Sequence, residues 1–284
     1  MNEFPRQFST DPGGIVEAAV DYLTNHFQGV FDALKIAVLT FLYNMQLFME
    51  WIPWWVVILT VFLLGWRLVR LTAGITFAAL LFLIGTFGYW DMMMYTMAIV
   101  LTSVVISLLL GIPVGILLAY SKKTEAVVKP LLDAMQTMPS FVYLIPAIML
   151  FGLGKVSALF ATVIYAIPPV IRLTNLAIRE VSKDMIEAAL SFGSSRRQLL
   201  RKVQIPQALP TIMAGINQTT MMALAMVVIA SLVGAKGLGM EVLISINRVD
   251  INQGFEAGLS IVIMAIIIDR LTQGIANRYN YKKE

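Results

Sequence analysis

Between Glu187 and Pro206 the chain reads EAALSFGSSRRQLLRKVQIP, and Arg196, Arg197, Arg201 and Lys202 fall within seven residues of it. Apolar stretches flank this segment on both sides, which makes it the longest polar break in the apolar part of the chain. Such a basic run can meet an acidic rim on a partner protein, while the small Ala188, Ala189 and Gly193 permit close helix approach. Gly193 is also placed to end a helix, because glycine enters the left-handed region without a Cβ penalty.

Other chemistries are excluded by residue type. The chain has no Cys and a single His, His26, so thiolate metal sites, disulfides, a His-based metal cluster and a Ser-His-Asp triad cannot be built. No G-x-x-x-x-G-K-[ST] phosphate loop occurs; the nearest fragment, Gly152-Leu-Gly154-Lys155, lacks the first spacing and the following hydroxyl residue. The chain therefore holds no ATP or Mg site of its own, and energy must come from a partner. Asp269 is the one acid inside a late apolar stretch, next to Arg270, and reads as a helix-end pair rather than a proton relay. No cofactor and no metal is expected in this chain.

A second set is polar but uncharged and lies inside apolar stretches: Gln136, Thr137, Tyr143, Tyr165, Asn217, Gln218, Thr219 and Ser231. An amide left unpaired in lipid is costly, so Asn217 and Gln218 must face protein or water. They either line a path for solute or bond neighbouring helices and stiffen them. Met213, Met221, Met222 and Met226 offer a deformable gate or plain packing.

The elements that carry these residues are membrane spans. Of 284 residues 58% are hydrophobic and 13% charged, with a mean hydropathy of +0.80, a composition of multispan membrane proteins. With ~20 apolar residues per crossing, spans are predicted over 54–71, 73–89, 92–120, 139–153, 156–173, 208–233 and 255–275. Gly111-Ile-Pro-Val-Gly115 predicts a kink in the third, and Pro139, Pro146, Pro168 and Pro169 predict breaks in the fourth and fifth. Residues 15–51 carry recurrent charge together with an apolar face (Phe27, Val30, Phe31, Leu34, Val38, Phe41), which fits an interfacial helix; a span over 36–51 is the alternative. Residues 1–14 form a polar tail without the pattern of a cleaved signal peptide.

Charge sets the orientation. Residues 1–53 hold six acids and two bases, and the remainder holds 19 bases and 11 acids. If 187–206 is cytoplasmic and the spans alternate, 16 of the 21 Lys and Arg fall at the cytoplasmic side, as the positive-inside tendency requires. The N-terminus is then outside and the C-terminus inside. The sequence pI of 9.3 needs no nucleic acid to explain it; anionic lipid is a secondary partner.

Glu187-Ala188-Ala189, Gly193, then nine residues to Val203, and Ile205-Pro206 resemble the EAA-x3-G-x9-I-x-L-P pattern of ABC importer permeases, with Val203 for Ile and Ile205 for Leu. MQTMPSFVYLIPA (135–147), YAIPPVIRLTNLAIREV (165–181) and AGINQTTMMALAMVVIASLVGAKGLG (214–239) are similar to the permeases of glycine betaine and proline betaine importers, over about 87–275. The resemblance implies an all-α type I importer transmembrane domain of about seven spans plus the N-terminal interfacial helix. It divides the chain into 1–53 (tail and interfacial helix), 54–91 (peripheral spans), 92–275 (permease core with a coupling loop at 174–207) and 276–284 (cytoplasmic tail). It implies docking of an ABC ATPase, which binds ATP and Mg, on Glu187, Ala188, Ala189, Gly193, Arg196, Arg197, Val203, Ile205 and Pro206. An extracytoplasmic binding protein on a separate chain, a permease homodimer, and import of glycine betaine or of choline, carnitine or methionine are implied likewise. The Gly234–Gly239 loop reads as part of the binding-protein platform or as a plain connection. A secondary transporter or channel acting alone, and a non-transporting scaffold, are the rival classes.

Overall fold

The computed structural model describes residues 12–280. The first eleven residues of the polar tail, and Lys282 and Lys283 in the last four, lie outside the described residues. The described chain runs α1 (Pro12–Trp51), α2 (Trp54–Leu68), α3 (Leu71–Thr86), α4 (Trp90–Tyr120), α5 (Lys122–Thr137), α6 (Leu144–Phe151), α7 (Lys155–Arg179), α8 (Lys183–Ser191), α9 (Arg196–Leu199), α10 (Ile205–Ala225), α11 (Val227–Ser231), α12 (Leu238–Arg248) and α13 (Ile251–Asn280). No strand occurs among the described residues.

Glycine decides how closely the central helices pack. Gly111 and Gly115 are four residues apart and so share one face of α4. A Cβ on Gly111 would lie 2.5 Å from Val170 Cγ1, and one on Gly115 2.6 Å from Thr174 Cβ, so α7 presses against bare α4 backbone. On α10, a Cβ on Gly215 would lie 3.1 Å from Leu173 Cβ, which seats α7 between α4 and α10. Lipid gives no hydrophobic drive for helix association, so van der Waals contact at such small-residue faces must supply it. Conversely Leu109, Leu110 and Leu117 of α4 stand exposed, at no cost where the surroundings are hydrocarbon. Some buried hydroxyls return to their own helix, as Ser103 to the Ile99 carbonyl (2.8 Å) and Thr162 to that of Ala158 (2.7 Å), while Ser107 of α4 reaches the Val163 carbonyl of α7.

Two sequence expectations change here. The 111–115 segment does not interrupt α4, which runs unbroken through Pro113, and its glycines form a contact face. Pro168 and Pro169 likewise sit buried inside an unbroken α7, where packed neighbours tolerate the missing N–H groups. Of the prolines predicted to break helices, Pro139 does so, while Pro146 lies within α6. Met138 before Pro139 is extended (φ −70°, ψ 137°), as a residue preceding proline tends to be, and α5 and the 140–151 segment meet at 115°. Residues 122–137, where no span is predicted, form α5.

Four helices, Thr24–Trp51, α4, α7 and α13, are long and apolar enough to cross a membrane, or five if the bent 122–151 pair counts as one span. With 15 and 16 residues, α2 and α3 rise only about 22–24 Å, against ~30 Å of hydrocarbon. The seven predicted spans correspond to α2, α3, α4, the bent 122–151 pair, α7, the α10–α11 stretch and α13, with α1 outside that count. The α2–α3 pair is a tight hairpin: a Cβ on Gly65 would lie 2.8 Å from Gly74 Cα.

α1 loses helical backbone geometry at Phe27 (φ −117°, ψ 22°). Beyond it, Phe31 packs edge-on against Phe151, while Gln46 accepts from the Lys155 ammonium at 3.3 Å. These two points lie about 22 Å apart along α1, yet both touch the α6–α7 turn. α1 therefore crosses over that end of the bundle instead of running along α7.

Candidate functional site

Alanine and leucine at 188–190 continue α8 until Gly193 stops it. The Gly193 N–H reaches the Leu190 carbonyl (2.9 Å) and the Ser194 N–H the Ala189 carbonyl (3.1 Å), with Gly193 at φ +78°. This is the left-handed C-cap that a side chain disfavours. No atom lies within 4 Å of a Cβ built on Gly193, so the glycine serves backbone conformation; the close approach expected of it is not made within this chain. Ser195 then opens α9 with a capping box: its hydroxyl accepts from the Gln198 N–H, and Gln198 Oε1 accepts from the Ser195 N–H (2.8 Å). Residues 200–204 form a π turn that leads into α10. Pro206 has no N–H to give the carbonyl four residues back, which fits a wider turn there.

α8 buries none of its residues. Glu187 and Ala188 are exposed, and Met185, Leu190 and Phe192 are exposed apolar side chains, Phe192 at 91%. Arg196, Arg197, Arg201 and Lys202 are exposed and form no ion pair among the described residues. A short amphipathic helix with bare apolar residues beside four free cations is shaped to be covered by another protein. Ala189, Val203 and Ile205 are half-buried, and Pro206 is exposed at the first turn of α10.

The stretch is anchored at its root. Leu199 and Gln204 are buried, and the Tyr120 hydroxyl at the end of α4 donates to Gln204 Oε1. Sequence reasoning passed over both partners. The one signal was a lone amide between Val203 and Ile205, a position the motif leaves free. Beside this root, α5 is clamped to α7 by Arg172 with Asp133 and by Arg179 with Glu125 at 2.7 Å. Asn175 donates to Glu125 at 3.1 Å, and Arg179 also donates to the Leu118 carbonyl at 2.8 Å. Glu125 is held below the usual carboxylate range, chiefly by the Asn175 hydrogen bond and further by the Arg179 guanidinium, with desolvation opposing both.

The polar residues expected along a solute path do not converge. Asn217 donates to Asp269 at 2.8 Å and accepts from Thr272, joining α10 to α13. Asp269 also accepts from Gln273 (2.7 Å), and no ion pair joins it to Arg270. Tyr143 is buried, donates to the Met135 carbonyl and packs edge-on against Tyr165 at 5.8 Å. Ser231 is buried and donates to the Val228 carbonyl; Thr137 donates to Ala134. Gln136 and Gln218 are exposed. On α10, Gln218 continues a stripe with Ala214 and Ala225, small or polar on a membrane helix.

At the opposite end, the Gly234–Gly239 stretch is fastened. Thr96 of α4 accepts from the Leu238 N–H at 2.9 Å and so caps α12 from outside it. Gly237, at φ +133°, leaves room for that hydroxyl. Glu241 accepts from Gln253 at 2.7 Å, tying α12 back to α13.

The signature of the family described as binding-protein-dependent transport system inner membrane component matches residues 111–281. The chain belongs to that family. Among curated relatives, the glycine betaine/proline betaine transport system permease protein ProW of Escherichia coli (strain K12) is 46% identical over 260 residues, covering 92% of this chain and 73% of its own length. The glycine betaine transport system permease protein OpuAB of Bacillus subtilis (strain 168) is 44% identical over 277 residues, covering 97% of this chain and 96% of its own length. The glycine betaine/carnitine transport permease protein GbuB of Listeria monocytogenes serotype 1/2a (strain 10403S) is 47% identical over 262 residues, covering 91% and 93%. Among solved structures, an inward-facing MetNI methionine ABC transporter chain superposes with a TM-score of 0.60 at 23% identity, covering 65% of this chain and 93% of that one. That likeness concerns the fold alone: this permease is a multi-pass, nearly all-helical type I ABC importer transmembrane domain.

Proposed function

We infer that this permease imports glycine betaine or a related quaternary amine, driven by an ABC ATPase that docks on α8, α9 and the start of α10. The observation that carries the docking is the uncovered α8, with Phe192 91% exposed ahead of the left-handed Gly193 cap and the four cations. ATP and Mg are bound by the partner ATPase, and the chain itself catalyses nothing. The substrate class rests on the relatives, whose names include glycine betaine, proline betaine and carnitine. Carnitine is the second reading, since it shares the quaternary ammonium and the carboxylate. A binding protein delivers the solute at the end that carries α12, and two copies of the permease pair across the path.

In this reading the α8–α9 end is cytoplasmic, as its cations favour, and the α6–α7 and α12 end is outside. α1 then lies in the outer interface, as its crossing over the α6–α7 turn supports. The exposed Ala214–Gln218–Ala225 stripe, with Gln136, lines the solute route. Asn217, Tyr143 and Ser231 hold the helices that form it. The test is ATPase activity of the reconstituted permease–ATPase complex with its binding protein, across glycine betaine, proline betaine, carnitine, choline and methionine. Stimulation by the betaines is expected. Stimulation by methionine alone would overturn the substrate assignment.

A further inference from the structure

An apolar cavity of about 540 Å³ lies where the end of α1 and the α2–α3 hairpin meet α4 and α13. Its floor is buried Met93, Met264 and Ile267, and Met97 and Leu101 continue it along α4. Exposed Trp51 and Phe48 flank its mouth. The Thr60 hydroxyl and the Trp51 indole N–H are the only polar side-chain groups in the lining, and no charged group contributes to it. A water in such a space would find almost no hydrogen-bond partner, so the cavity is built for hydrocarbon. The volume lies within the ~300–1,000 Å³ of ligand sites, and its methionines give walls that adapt to a flexible chain.

We propose that this cavity binds an acyl chain of a bilayer phospholipid. Two features commit the site to that occupant. First, the walls contributed by α4 and α13 belong to helices long and apolar enough to cross a membrane, so the surrounding solvent at their exposed faces is lipid. Second, Trp51 in the lining is exposed, and so are Trp54 and Trp55 three and four residues further along the chain, the residue type that sits at the headgroup level. From Met93 to Leu101 the cavity descends about 12 Å, the direction an acyl chain takes from that level. The chain fills the gap between the hairpin and the core and ties the two together. This inference rests on the membrane placement and not on the substrate, and its test does not use transport.

The full chain is reconstituted in nanodiscs of phosphatidylcholine doped with a phosphatidylcholine carrying a diazirine in its acyl chain. Photolabelled positions are then mapped by peptide mass spectrometry. Labelling of the Met97–Leu101 segment is expected to exceed that of Leu109 and Leu110, which face bulk lipid. Met97→Trp, which fills the cavity, is expected to lower the cavity label about tenfold, equivalent to ~1.4 kcal/mol of binding, with the Leu109 and Leu110 label unchanged. If that variant fails to insert, Val57→Phe fills the space from the hairpin side and is read in the same way. Cavity labelling no greater than at Leu109 and Leu110, labelling insensitive to both filling variants, or crosslinks from the cavity to a second copy of the chain would overturn the proposal.

Discussion

The Tyr120 hydroxyl, on the last residue of α4, donates to Oε1 of Gln204 at the end of the π turn before α10. Gln204 is 5% exposed, so the bond ties a buried amide in the 187–206 stretch to α4. In the proposed coupling, a push on α8 and α9 would pass through this bond to α4 as well as to α10.

Removing that tie separates docking from transmission. Tyr120→Phe leaves a buried acceptor unpaired, a loss of ~1–3 kcal/mol, without touching the exposed α8 face. ATPase association by co-purification is expected to hold, while betaine uptake falls by about fivefold or more. Uptake at the unaltered level would show that Tyr120 carries no part of the coupling.

Gly193 gives a test that distinguishes space from backbone. Nothing stands near its missing Cβ, so the cost of substitution is that of the left-handed conformation, ~1–2 kcal/mol for an ordinary residue. Gly193→Val is expected to abolish transport while membrane insertion persists, and Gly193→Asn, a residue that tolerates this region, to retain most of it. Equal loss in both variants would mean that bulk at the partner surface, not the turn, matters there.

The α4–α7 contact predicts a folding defect instead. At Gly115 a Cβ would approach Thr174 Cβ to 2.6 Å and the Ile171 carbonyl to 2.7 Å, both on an unyielding helix. Gly115→Leu is expected to lower the thermal unfolding temperature of the detergent-solubilised protein and its yield from membranes. An unchanged melting profile would contradict the packing described.

The clamp at Glu125 makes stability depend on pH. Its folded pKa lies below that of the unfolded chain, so its contribution is present above the unfolded value, ~4.3 for a glutamate, and is lost as pH falls through the folded one. Melting temperature is expected to be level near neutrality and to drop in the acid range, with Glu125→Gln removing the Glu125 part of that drop. A variant whose acid profile overlays that of the parent would remove the clamp from the account.

Helical class, the membrane setting and the end of α8 at Gly193 were legible because each rests on local signals: apolar run length, charge distribution, and a motif whose glycine ends a helix. What escaped depends on distant partners. Gly111 and Gly115 look like a kink beside Pro113 until Val170 and Thr174 are known to press on them. Asn217 looks free to meet solute until Asp269 and Thr272, more than fifty residues on, are seen to occupy it. Proline at 168 and 169 reads as a break, but α7 continues through both, where they are buried against neighbouring helices.

The central claim is that this chain moves its solute only when a partner hydrolyses ATP and the work enters through 187–206. Uptake of radiolabelled glycine betaine into proteoliposomes holding the permease, its ATPase and its binding protein tests this directly, with ATP and Mg inside or omitted. The account predicts accumulation only with ATP, and none when Gly193→Val replaces the parent chain. Accumulation by the permease alone, without ATPase or nucleotide, would contradict it.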